Sequence, residues 1–165
     1  MTKKNSAVTL YWPSPAGRLG LTVEDQALTR VFFDSPSRQN HPDGRAEKPG
    51  EIFQRAFRQL EEYFAGRRRN FQLPLAPAGT AFQRQVWSAL ENIPYGQTMS
   101  YGALAARAGS PRAFRAAGQA CRRNPLAIVI PCHRAVGWDG RLTGFAGGLA
   151  IKEFLLRLEA GVKAR

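Results

Sequence analysis

The sequence predicts an α/β chain: a small N-terminal antiparallel sheet with one helix, then a mainly α-helical C-terminal domain that carries a helix-turn-helix. Three observations predict it. Alternating, strand-like segments crowd the first 33 residues, a Pro-punctuated stretch follows at Leu73-Pro-Leu-Ala-Pro-Ala-Gly79, and beyond it apolar residues recur at helical spacing between short turns. The boundary is expected near residue 75, giving domains 1–75 and 76–165. A chain of 165 residues can bury about 70 % of its unfolded surface, so a stable core is expected.

Val8-Thr9-Leu10-Tyr11-Trp12 reads as a strand, Pro13 to Gly17 as a turn, and Leu19-Gly20-Leu21-Thr22-Val23 and Leu28-Thr29-Arg30-Val31-Phe32-Phe33 as two further strands of a meander. Asp34 to Gly50 is rich in Pro, Ser, Asn and Gly and lacks periodicity, which predicts a loop. Phe53, Phe57, Leu60 and Phe64 then recur on one helical face, and Gly66 supplies a stop.

In the second half, Thr80 with Gln83 three residues on predicts a capping box, and Phe82, Val86 and Leu90 form the inner face of that helix. Arg84 there reads as a solvated surface charge. After Ile93-Pro94-Tyr95-Gly96, Ser100 caps a short helix through Arg107 and Gly109 ends it. Ser110-Pro111 is expected to start a second helix running to about Arg123. Two short helices about a glycine turn make a helix-turn-helix. Many such hairpins bind no DNA, so the second helix has to decide. It carries Arg112, Arg115, Arg122 and Arg123 among Ala, Gly and Cys. At roughly 100° per residue, Arg115 and Arg122 point the same way and Arg112 lies nearby. Its small residues allow close approach to another helix or to the floor of a DNA groove. For DNA the minor groove fits better, because bulky readers of base edges are absent while arginines able to enter it are present.

Twenty-four Lys and Arg against twelve Asp and Glu give a formal charge of +12, which favours a polyanion; the alternative is an arginine-rich surface that is merely solvated. No apolar run is long enough for a membrane helix or a secretory leader, so a cytoplasmic address is the expectation. Two cysteines (Cys121, Cys132) and two histidines (His41, His133) match neither a disulfide framework nor paired zinc knuckles, and no metal site is expected.

Leu126-Ala-Ile-Val-Ile130 reads as a short apolar strand ending in Pro131-Cys132-His133-Arg134. A cysteine at a rigid strand end beside two cations is set to become thiolate and nucleophilic. Cys121, in a helix among alanines, reads as an inert buried thiol.

That tetrapeptide resembles the active-site signature of the O6-alkylguanine-DNA alkyltransferases, and the similarity spans roughly residues 80 to 161. It includes Phe82-Gln83-x-x-Val86-Trp87, Ile93-Pro94-Tyr95-Gly96, Ser100-Tyr101-Gly102-x-Leu104-Ala105, Arg115-Ala116-x-Gly118, Asn124-Pro125, Thr143-Gly144-Phe145-x-Gly147-Gly148 and Lys152-x-x-Leu155-Leu156-x-x-Glu159. The N-terminal half matches only in architecture, and its role stays unassigned.

The resemblance implies that Cys132 accepts the alkyl group in a single, irreversible turnover, with His133 acting on its thiol through a water and Glu159 fixing the histidine tautomer. It implies that Asn124 bridges the recognition helix to the active-site turn. Arg115 fills the stack vacated by a flipped nucleotide, and Tyr101 pushes against the target phosphate and hydrogen-bonds the leaving guanine. Arg112, Arg122, Ala116 and Gly118 complete the DNA-facing surface. Pro131, Phe145, Ala146 and Gly147 line the substrate pocket, with Trp138 either bordering it or standing as an ordinary half-buried tryptophan. No cofactor is implied, because the alkyl donor is the lesion. The implied partner is double-stranded DNA containing alkylated guanine, bound by a monomer, with O4-alkylthymine and cooperativity along DNA left open. A lesion binder that transfers nothing and a cysteine hydrolase that turns over repeatedly are the competing classes; the first lacks a reason for Cys132, the second for the basic helix.

Overall fold

The computed structural model describes residues 6–35, 37 and 49–161. The chain forms two compact units, Met1–Ala78 and Gly79–Arg165. Most of the expected loop Asp34 to Gly50, and His41 with it, lies outside the described residues.

In the first unit, strands β1 (Val8–Ser14), β2 (Gly17–Glu24) and β3 (Ala27–Phe33) make an antiparallel sheet in the order β1-β2-β3. β1 runs on through Pro13, which an edge strand tolerates because only one side of its backbone is paired. The β2–β3 turn places Asp25 and Gln26 at φ 47 and 63, the left-handed pair that matches the twist of a two-residue hairpin. Helix α1 (Glu51–Phe64) lays Phe53, Ala56, Leu60 and Tyr63 into a core with Leu10, Leu19, Leu21, Leu28 and Val31. Phe57 and Phe64 stay half-buried, each with its ring centroid 6.1 Å from that of Trp12. The Pro-rich stretch after α1 is tethered: Leu28 N–H donates to Pro74 O at 2.8 Å, and Ala76 N–H to Leu28 O at 3.0 Å.

The second unit comprises α2 (Ala81–Glu91), β4 (Met99–Ser100), α3 (Tyr101–Arg107), α4 (Phe114–Arg122), a 3-10 turn (Cys132–Arg134), β5 (Ala135–Val136) and α5 (Leu149–Glu159). The capping box of α2 forms as expected, with Thr80 accepting from Gln83 N–H and Gln83 reaching back to Thr80 N–H. Arg84 donates to Gly79 O. Ser100 caps α3 by accepting from Ala103 N–H at 3.2 Å. Gly109, at φ 82, turns the chain toward α4. Among the described residues no helix is long and apolar enough to cross a membrane.

Two local expectations are corrected. Ser110 to Ala113 close a turn, Ala113 N–H on Ser110 O at 2.9 Å, so α4 begins at Phe114 and Arg112 lies before it rather than on its face. Leu126–Ile130 is not a strand. It coils into a buried turn, with Ile130 N–H on Leu126 O at 2.8 Å and Ile128 at φ 70. The side chain of Asn124 dictates this: its Nδ2 donates to Ile130 O at 2.8 Å and its Oδ1 accepts from Leu126 N–H at 2.9 Å, closing the segment on itself. A β-branched residue at positive φ costs on the order of 1–3 kcal/mol. Burial of all five side chains offsets it.

Candidate active site

The closed turn delivers Cys132 to the interior. Its N–H donates to Ile130 O at 2.8 Å, and the residue is only 6 % exposed. His133 and Arg134 follow in the 3-10 turn, buried as well. α5 brings Glu159 to meet them. His133 Nε2 lies 2.7 Å from Glu159 Oε1, and Arg134 grips the same carboxylate with Nε on Oε2 at 2.8 Å and Nη2 on Oε1 at 2.9 Å. Gly96 N–H donates to Oε2 at 3.2 Å, while Arg134 Nη1 donates to Ile93 O at 2.7 Å. Burial alone would raise the Glu159 carboxyl, but the hydrogen bonds and charges of His133 and Arg134 outweigh it and hold the group at about 2. Burial lowers the His133 pKa against the pull of Glu159, which leaves the ring neutral at physiological pH.

This changes the expected electrostatics of the thiol. Arg134 is committed to Glu159 and Ile93, so neither neighbour presents a cation to Cys132. Burial pushes the Cys132 thiol up, and what counters it is a hydrogen bond from Asn124, the charge of Lys152 and the backbone N–H groups of residues 132 and 133. Cys121, on the buried face of α4, is pushed up to about 12, chiefly by burial.

Lys152 carries no assigned role in the sequence reading. Wholly buried on α5, it donates through Nζ to Ala135 O at 2.6 Å, Thr143 O at 3.1 Å and Tyr101 Oη at 3.4 Å. The signal was available: Lys152, Leu155 and Glu159 share the buried face of α5, so two charged residues stand where an apolar stripe belongs. Tyr101, half-buried at the start of α3, donates its hydroxyl to Thr143 O at 3.0 Å. Gly118 faces the Tyr101 ring, which a Cβ there would meet at 3.8 Å, an ordinary packing distance.

The loop Thr143–Gly148 borders this cluster, with Phe145 and Gly147 half-buried and Ala146 exposed. Arg122 lays its guanidinium on Gly144, where a Cβ would fall 2.6 Å from Nε. Arg112, Arg115 and Ala116 are exposed. The buried side of α4 is pinned by Trp87, whose indole N–H donates to Ala120 O at 2.9 Å. Trp138 is 91 % exposed and stands in solvent, so it is not the half-buried tryptophan of the alternative reading.

A family profile described as 6-O-methylguanine DNA methyltransferase, DNA binding domain, matches residues 81–161, and its companion, the ribonuclease-like domain, matches residues 8–77. The chain belongs to the 6-O-methylguanine DNA methyltransferase family. A methylated-DNA–protein-cysteine methyltransferase of Methanosarcina acetivorans is 50 % identical over 147 residues, covering 88 % of this chain and 94 % of the relative. The crystal structure of the Mycobacterium tuberculosis O6-methylguanine methyltransferase superposes with a TM-score of 0.82 at 40 % identity, covering 96 % of each chain. A second Mycobacterium tuberculosis structure, OGT in complex with DNA, gives the same score and identity over 93 % of each chain. These methyltransferase structures share the expected fold class, the N-terminal sheet and helix followed by a mainly helical unit.

Proposed function

We propose that the chain repairs alkylated DNA directly, moving the alkyl group from O6 of guanine onto Sγ of Cys132 once per molecule. One observation carries the reading: a buried cysteine adjoins a neutral histidine whose Nε2 is fixed by a carboxylate at 2.7 Å. With Nε2–H donated to Glu159, the ring's lone pair is on Nδ1, the atom that takes the thiol proton through a water. Sγ then attacks the alkyl carbon, the C–O6 bond breaks, and the electron pair passes to guanine, which is protonated as it leaves. Asn124 and Lys152 stabilise the sulfur as charge develops on it. Tyr101, held against Thr143 O, contacts the phosphate and hydrogen-bonds the departing base.

DNA is the partner, and both its binding and the transfer belong to the C-terminal domain, residues 76–165. The family assignment and the arginines on the exposed side of α4 support this. A buried thiol cannot reach a stacked base, so the nucleotide is rotated out before transfer. Arg115, exposed at the first turn of α4, takes its place, while Ala116 and Gly118 permit close approach to the minor groove. Pro131, Phe145, Ala146 and Gly147 frame the pocket. The protein acts as a monomer, and two unpaired thiols suit a reducing, cytoplasmic setting.

Intact mass and peptide mapping after incubation with duplex O6-methylguanine DNA test the proposal. One methyl per chain, on Cys132, is expected; no mass change would mark a binder, and repeated product release a hydrolase.

The arginines separate flipping from docking. Arg115→Ala is expected to lose at least about tenfold in single-turnover rate on saturating duplex, with a smaller loss on free O6-benzylguanine, because unstacking costs a few kcal/mol that the side chain no longer offsets. Arg112→Ala should lower duplex affinity and shrink the salt dependence by about one phosphate. Arg122→Ala should slow both substrates alike, since its guanidinium supports the pocket loop at Gly144. Full recovery of the Arg115→Ala rate at saturating duplex would reduce Arg115 to a phosphate contact.

A further inference from the structure

Trp138 sits at the tip of the turn Gly137–Arg141 and is the most exposed of the large hydrophobic side chains among the described residues, at 91 %. Indole carries a large apolar area, and leaving it in water forfeits burial that an ordinary core tryptophan such as Trp87 enjoys. The turn beneath it is stiff. Gly137 N–H donates to Arg141 O at 2.8 Å, Gly140 N–H to Gly137 O at 2.9 Å and Arg141 N–H to Asp139 Oδ1 at 3.1 Å. Arg141 also pairs with Asp139 at 3.0 Å, so the local charges cancel and the tip presents an uncharged ring.

Both stems of the turn close on Tyr101. On the incoming side, β5 pairs in parallel with β4 and sets Val136 opposite Ser100, so the two strands leave together, one into Gly137 and the other into Tyr101. On the outgoing side, Thr143 O receives the Tyr101 hydroxyl at 3.0 Å. Both stems of the turn are thereby anchored on Ser100 and Tyr101, and the Trp138 ring stands in solvent.

We infer that Trp138 is a DNA-contacting residue, packing its indole on the sugar and base that border the extruded nucleotide. The inference rests on the reading of the chain as a DNA repair protein and adds a contact outside the pocket and outside the recognition helix. An aromatic face stacks on any base, so the contact adds affinity without sequence preference, as a repair protein that meets lesions in every context requires. The occupant is the substrate duplex because the chain leaving the turn runs through Thr143, which holds Tyr101, and Gly144, which carries the guanidinium of Arg122 from α4, in a chain of formal charge +12.

Tryptophan fluorescence of the full chain tests this. The difference between wild type and Trp138→Phe isolates the Trp138 signal, since Trp87 is 2 % exposed and Trp12 is half-buried. Duplex containing O6-methylguanine is expected to quench that signal and shield it from acrylamide. Trp138→Ala should weaken duplex binding by roughly tenfold, and Trp138→Phe, which keeps an aromatic face, by less. Equal acrylamide access with and without duplex, together with wild-type affinity of Trp138→Ala, overturns the inference. Shielding that grows with protein concentration in the absence of DNA overturns it too, in favour of a second copy of the chain. A wild type that binds and shields but transfers no alkyl group would instead leave this contact standing and defeat the repair reading.

Discussion

Cys132→Ser is expected to abolish alkyl transfer while leaving duplex affinity within about twofold of wild type. In the proposed complex binding rests on arginines and backbone contacts to phosphate, none of which the change touches. The chemistry rests on the sulfur, because a hydroxyl in the same position is a far weaker nucleophile and the charge of Lys152, which favours a thiolate, does not ionise an alcohol at neutral pH. Arg134, the nearest in sequence, is spent on Glu159. Cys121 is not expected to substitute, since burial pushes its thiol to about 12 and no base is among the groups that act on it, which are Cys132 and Lys152. Peptide mapping of the variant should find no methyl on either position. Methyl on Cys121, or transfer by Cys132→Ser at a measurable rate, would move the acceptor elsewhere. A parallel collapse of DNA binding would make Cys132 structural.

Glu159→Gln is expected to slow transfer roughly 10²- to 10⁴-fold. The carboxylate selects the His133 tautomer by accepting from Nε2–H. A carboxamide can donate to Nε2 instead, which puts the ring proton on Nδ1 and removes the lone pair that the thiol requires. The same change leaves the buried Arg134 guanidinium without an anion, so stability falls as well. The two effects separate by pH. In the fold the Glu159 carboxyl ionises at about 2 against an ordinary 4.5. A carboxylate depressed in this way contributes stability that is fully present above about 4.5 and drains away as pH falls toward 2. The Tm difference between wild type and Glu159→Gln should therefore be widest at neutral pH and narrow below pH 4.5. The rate defect, measured at a temperature where both are folded, should persist. An unchanged single-turnover rate would remove Glu159 from the mechanism, and a Tm difference that widened in acid would contradict the depressed carboxyl.

What was legible in the sequence was whatever depends on short spacing. The meander, the capping box at Thr80 and the Ser100 cap follow from residues within a few positions of one another, and they formed as read. The misreadings share a cause: a hydrogen bond within the segment, which composition does not announce, overrode the preference for a regular element. Leu126–Ile130 has strand composition, but Asn124 closes it into a turn. Ser110-Pro111 has the chemistry of a helix start, but the chain makes a separate turn first. At the site, the fixed order of motifs identified the family, whereas the arrangement of charge was hidden. Arg134 next to Cys132 reads as a cation for the thiol because sequence adjacency says nothing of direction. In the fold its guanidinium reaches Ile93 and Glu159. Lys152, twenty residues on from Cys132, takes the part assigned to Arg134, and only its place on the buried stripe of α5 could have betrayed it.

Glu159 follows every other residue of the site in the chain, yet Gly96, His133 and Arg134 all converge on it, across separations of up to 63 positions. During synthesis the ribosome therefore releases Cys132 well before the carboxylate that orients its base. Until α5 docks, His133 is free to exchange tautomers and Arg134 has no anion to hold. A nascent chain thus carries Cys132 as an ordinary thiol. A molecule that can react only once is therefore most vulnerable before α5 docks, because Cys132 then lacks the burial that raises its thiol and shields the sulfur in the fold, and a stray electrophile could consume it before it had ever met DNA.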